Sequence, residues 1–140
     1  MKVQNADGLW GYINEQGKVL GEVKWKSIGS FSDGLAMVSE DITTGSGYSK
    51  KTVTKYGFIN EQGQTVGEVR WDAVNSFSQG LAAVQENGKW GFIDRTNTLV
   101  IPCRYSEVNA FKSDGTCDVR NPDGTWIVID KNGNSAFFGQ

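Results

Sequence analysis

WGFIDRTNTLVIP, Trp90 to Pro102, decides the fold, because near-copies begin at three other rings: WGYINEQGKVLGE at Trp10, YGFINEQGQTVGE at Tyr56 and the degenerate WIVIDKNGNSAF at Trp126. A residue that recurs in every copy of a repeat is scaffold before it is site. Four residues after each leading ring stands Asn14, Asn60, Asp94 or Asp130, and three further on Gly17, Gly63, Asn97 or Gly133. This is turn chemistry: the Asx side chain folds back on local backbone, and the later position needs a left-handed conformation that Gly, or next best Asn, supplies. Aromatic and β-branched residues flank the turn, so each copy reads as a hairpin. Strand alternation puts Trp90 and Phe92 on one face, with Gly91 and Ile93 on the other. Gly11, Gly57 and Gly91 leave room there for a ring or backbone to come close.

The register extends past the hairpin. Trp25, Trp71 and Tyr105 each lie 15 residues after their leader, each preceded by a cation, Lys24, Arg70 or Arg104, and Phe31, Phe77 and Phe111 follow at 21 residues. Gly34, Gly80 and Gly115 then open the runs LAMV, LAAV and TCDV, which lead to the next aromatic. Val3 to Trp10 matches Val119 to Trp126 in spacing, so the chain starts on the strand that precedes a leading ring. It finishes at Ser135-Ala136-Phe137-Phe138, where the last strand of the fourth unit is expected.

With KWGFIDRTNTLVIPCRYSEVNAF and EVRWDAVNSFSQGLAAVQENGKWGFID in this order, the chain resembles the bacterial WG-repeat (KWG-repeat) proteins over nearly its whole length. Tyr56 in place of Trp, Ile127 in place of Gly and TCDV in place of LAxV depart from that pattern, and the last unit reads as a cap. The resemblance implies a β-repeat scaffold and says little about a ligand, since a scaffold does not fix a function.

The expected fold is all-β: four tandem three-stranded hairpin or meander repeats stacked as an open curved array, in preference to a closed propeller-like or barrel-like arrangement. A three-stranded meander cannot bury both faces alone, which is why units must stack. At 140 residues with 38% apolar content, one domain over 1–140 is expected. The leaders are spaced 46, 34 and 36 residues apart, and the excess in the first interval falls at about 39–51, SEDITTGSGYSKK. That segment reads as an elongated hairpin with its tip in solvent. Surface loops accept insertions at little cost, but a projecting finger with Tyr48, Lys50 and Lys51 also suits contact with a partner.

Composition narrows the chemistry. The absence of His removes Ser-His-Asp and Cys-His nucleophile arrangements and His-containing zinc sites. Cys103 and Cys117 occupy the slots of Val23 and Ala36 in the repeat and read as small buried hydrophobes, which favours a reducing compartment. No phosphate-binding loop of the GxxxxGK[ST] type occurs, and the abundant glycines are turns. A net charge of −2 argues against nucleic acid. No apolar run approaches the ~20 residues that cross a bilayer, and no signal peptide is visible, so a cytoplasmic location is expected.

The recurrent rings, Trp10, Tyr56, Trp90 and Trp126 in one ladder and Trp25, Trp71 and Tyr105 in another, read as packing between units. The alternative is a platform for glycan or choline, since the repeats also resemble choline-binding and clostridial-toxin cell-wall repeats. Those carry aromatic pairs where this chain has Trp-Gly. Lys24, Arg70 and Arg104 read as a solvated face, or as a cation–π or anion-binding row. The expected function is a non-enzymatic protein-binding module without cofactor or metal, an adaptor or an inhibitor of another protein. A carbohydrate or cell-wall binding module is the alternative. The residues expected to carry binding are Tyr48, Lys50, Lys51, Lys24, Arg70 and Arg104.

Overall fold

The computed structural model describes residues 1–135, and these are built from antiparallel strands with no α-helix among them. The chain forms two compact units, Met1–Arg70 and Trp71–Gln140. The first holds a sheet of β1 (Lys2–Gln4), β2 (Trp10–Ile13) and β3 (Val19–Trp25), in that order, and the strands β4 (Ser27–Ser32), β5 (Leu35–Thr44), β6 (Lys51–Asn60) and β7 (Thr65–Trp71), also ordered as in the chain. The second unit holds β8 (Ala73–Val74), β9 (Ala82–Glu86), β10 (Lys89–Ile93) and β11 (Leu99–Tyr105) in one sheet, and β12 (Glu107–Val108), β13 (Cys117–Arg120) and β14 (Trp126–Ile129) in another. The expected all-β repeat is therefore present. Ser135 bridges to Ile129, and Ala136 to Phe138 of the expected final strand lie outside the described residues.

One feature was not expected: the residues just after the second ring form a further strand that leads the next sheet. Ile28, Val74 and Val108 stand opposite Val38, Val84 and Val119, all three fully buried. The amides of Lys26, Asp72 and Ser106 donate to the carbonyls of Ser39, Gln85 and Arg120, each at 2.8 Å. Two sheets thus gain a fourth strand, because a β-branched residue there buries against the neighbouring Val while its backbone completes the ladder.

Local chemistry fixes the turns. Asn14 Oδ1 accepts from the amides of Gln16 and Lys18 at 2.9 and 3.0 Å, and Asp94 Oδ1 does the same for Thr96 and Thr98 at 2.9 and 3.1 Å. Gly17, Gly63 and Gly133 have φ of 78°, 80° and 83°, and Asn97 has 66°. Gly63 has a second reason to be glycine: its α-carbon lies against the backbone of Leu20 and Gly21, where an added Cβ would meet Gly21 N at 2.7 Å.

The glycine after the leading ring also faces backbone. The pairs Trp90↔Tyr105 and Phe92↔Ile101 enclose more residues on β11 than on β10, so β11 bulges towards Gly91. A Cβ on Gly91 would stand 2.7 Å from Cys103 N, and one on Gly11 or Gly57 would stand 2.8 Å from the Val23 or Val69 side chain. Each unit buries its own core: Tyr12, Trp25, Ile28, Ala36, Val38 and Ile59 in the first, and Phe92, Ile101, Tyr105, Phe111 and Val119 among others in the second. Tyr12 and Phe31 pack with ring centres 4.8 Å apart, Phe92 and Phe111 with centres 4.9 Å apart. Burial raises the Tyr12 phenol above its ordinary range, and its hydroxyl donates to Gly29 O.

Candidate recognition surface

Strands β5 and β6 pair along ten rungs, from Leu35↔Asn60 to Thr44↔Lys51. Their counterparts β9 and β10 end at Glu86↔Lys89 and close on Asn87-Gly88, both with positive φ. Matched rung for rung, Glu40↔Lys55 corresponds to Glu86↔Lys89, so residues 41–54 stand where the second unit has only two residues. The result is a two-stranded finger.

Pairing makes the finger two-faced. Ile42 opposes Val53 on one side, while Asp41↔Thr54 and Thr43↔Thr52 occupy the other. Lys26 braces the polar side from below, with Nζ 3.1 Å from Asp41 Oδ1 and 3.0 Å from Thr54 Oγ1, and Thr54 Oγ1 donates to the same carboxylate at 2.7 Å. The Thr54 hydroxyl, and after it Lys26, holds the Asp41 carboxyl below the usual carboxylate range. Thr43 and Thr52 add a hydroxyl rung at 2.9 Å. At the tip, Gly45 and Gly47 take φ of 81° and 56°, and Gly47–Ser49 form one turn of 3-10 helix. That turn presents Tyr48 wholly to solvent, at 111% relative exposure, with Lys50 and Lys51 exposed after it.

The row of cations is arranged differently. Lys24, Arg70 and Arg104 are exposed at the penultimate positions of β3, β7 and β11. Lys24 Nζ lies 4.6 Å from the Trp25 ring centre; Arg104 lies 5.2 Å from that of Tyr105 and donates to its hydroxyl from Nε and Nη2 at 3.2 and 3.0 Å. Glu22 and Glu68 are exposed two residues before Lys24 and Arg70, so those strands alternate in charge. A stripe of mixed sign is poor at gathering anions.

The rings of the two series meet as cross-strand partners, Trp10 opposite Trp25 and Trp90 opposite Tyr105. Trp25, Trp71 and Tyr105 are at most 2% exposed, which corrects the idea that this series offers a stacking platform: the rings fill cores, and the Trp71 indole N–H donates to Asn97 Oδ1 at 2.9 Å. Among the leading rings Trp126 alone is more than half exposed, at 53%, beside a shallow cavity lined by Ile127, Val128 and Ser135.

Cys117 is buried as expected, its thiol donating to Asn109 O at 3.0 Å and pushed up in pKa chiefly by burial. Cys103 corrects the expectation: it is only half-buried, because it sits in the bulge of β11 opposite Gly91. Neither thiol is in a disulfide. Among the described residues no three His, Cys, Asp or Glu side chains gather as a metal site needs, and no helix is long and apolar enough to cross a membrane. Asp94, Asp114 and Asp123 each accept from a threonine hydroxyl two residues on, at 2.6 Å, which lowers their carboxyl pKa and ties them to turns.

The Lys26, Asp41 and Thr54 brace is what sequence reading missed, since its members are 15 and 28 residues from Lys26. The only signal was that the other units carry Asp72 and Ser106 where Lys26 stands. The family model for the WG containing repeat matches residues 10–41, 56–90 and 90–126. No individual curated protein matches the chain.

Proposed function

Because the chain belongs to the WG-containing repeat family, we propose that it is a non-enzymatic module that binds another protein, as an adaptor or an inhibitor, and that the β5–β6 finger makes the contact. The observation that carries this reading is the wholly exposed Tyr48 on a braced hairpin, next to Lys50 and Lys51. Solvent-facing tyrosine beside cations is the composition of a binding anchor: the ring gives contact area at small entropic cost, and the ammonium groups steer an acidic surface towards it. The brace reduces the ordering cost of binding by holding the finger before contact. Two cysteines that form no disulfide agree with a reducing, cytoplasmic setting.

The test is paired affinity capture from the host, with mass spectrometry, using the wild-type chain and a Tyr48→Ala/Lys50→Ala/Lys51→Ala variant. Proteins enriched by the first and lost by the second are expected, with unchanged β-sheet spectra. Equal capture by both chains would move the search to the Lys24, Arg70 and Arg104 face.

A glycan-binding reading rests on Trp126 alone, the one leading ring with more than half its surface open. Saturable tryptophan fluorescence shifts with oligosaccharides, abolished by Trp126→Ala, would favour it.

A further inference from the structure

Three sheets share a ladder that the first sheet leaves open. The valines opposite the second residue of the leading pair, Val38, Val84 and Val119, are fully buried, while their counterpart Val3 is only half-buried. In each later sheet the next residue offers its carbonyl outward, Ser39, Gln85 or Arg120, and receives the amide of the residue after a buried ring. Two residues before that carbonyl, Ala83 and Asp118 likewise accept from Asn75 and Asn109, at 2.9 and 3.2 Å.

In β1 the corresponding positions are Gln4 and Lys2. Met1 and Asn5 bond towards β2, through Ile13 N to Met1 O at 2.9 Å and Asn5 N to Leu9 O at 2.9 Å. Antiparallel alternation then turns the backbone groups of Lys2 and Gln4 the other way. Among the described residues β1 has a strand on one side only.

We propose that this edge of β1 is a strand-addition site for an extended segment of another polypeptide, of the pattern aromatic, any non-proline residue, a small or acidic residue, then Ile or Val. The chain supplies the template three times: Trp25-Lys26-Ser27-Ile28, Trp71-Asp72-Ala73-Val74 and Tyr105-Ser106-Glu107-Val108 pack in this way on the later sheets. In the same register the incoming β-branched side chain covers Val3, the third residue stands opposite Gln4, and the second donates its amide to Gln4 O. Main-chain bonds supply affinity and the two apolar positions supply selectivity, as in other cases of β-augmentation. The site is separate from the finger and does not depend on what the finger binds.

The test is a titration of the 15N-labelled chain with the synthetic peptide RWDAVNSF, the sequence of residues 70–77. Saturable amide shifts centred on Lys2 to Gln4, with slowed hydrogen exchange at the Lys2 and Gln4 amides, are expected. A peptide with proline in place of the aspartate lacks the donor and should bind about tenfold more weakly, the worth of one good hydrogen bond. A Lys2→Pro chain removes one outward donor at an edge position, where proline is compatible with the fold, and should also weaken binding. Absence of shifts at Lys2 to Gln4 at millimolar peptide would overturn the proposal. So would shifts centred elsewhere, or equal binding of the two peptides. Concentration-dependent shifts at these amides without peptide would overturn it in favour of a second copy as the occupant.

Discussion

The β5–β6 and β9–β10 hairpins share five equivalent rungs, Ala36↔Ile59 to Glu40↔Lys55 in one and Ala82↔Ile93 to Glu86↔Lys89 in the other, and then part. Below that point the side chains belong to cores: Val38 and Val84 are fully buried. Beyond it, β9–β10 closes at once on Asn87-Gly88, while β5–β6 continues with threonines, a carboxylate and a brace from Lys26. Stability and projection are thus separated along one element. The lower rungs hold the repeat together, and the upper rungs present a tip that the repeat does not need.

Four perturbations sharpen that contrast. The largest effect is expected from Val84→Ala, which removes two buried carbon atoms from a closely packed site and should destabilise by about 2 kcal/mol in chemical denaturation. Gly88→Val comes next: φ is 81° there, so a β-branched side chain is strained and a loss of about 1–2 kcal/mol is expected, read as a lower melting temperature. Ile42→Ala lies above the branching point, on a half-buried rung, and should cost under about 1 kcal/mol; a loss equal to that of Val84→Ala would erase the distinction.

The smallest effect concerns pH. The folded Asp41 carboxyl has a pKa below its unfolded value, so its contribution is present above the unfolded pKa and disappears as pH falls through the folded one. Asp41→Asn should therefore melt slightly below wild type at neutral pH and together with it at strongly acid pH. The group is exposed, so the gap is small at best, and a gap that widens on acidification would contradict the brace.

The turns were legible because they are decided locally: Asn14 or Asp94 followed by Gly17 or Asn97 leaves the backbone few options, and the φ values follow. The interruption of the repeat was legible as a break in spacing, and the Gly and Thr content of Thr43-Thr44-Gly45-Ser46-Gly47 suggested a tip. The leading strands β4, β8 and β12 were not legible. Ala73–Val74 and Glu107–Val108 are two residues each, too short for a periodic pattern, and their pairing is decided by Val84 and Val119 further along the chain. Cys103 was misplaced for a related reason: the repeat slot gave its position, but only the bulge shows that the slot is half open. For the finger, Tyr48, Lys50 and Lys51 could be named from composition, whereas the Lys26 brace depends on tertiary contact.

The most direct measurement replaces residues 41–54 by Asn-Gly, which converts the finger into the short hairpin of the second unit, and compares the two chains in denaturant and in partner capture. The shortened chain should keep its β-sheet spectrum and unfold within about 1 kcal/mol of wild type, since loop length enters closure entropy only logarithmically, while the partner set is lost. An unchanged partner set in a folded, shortened chain would contradict the account.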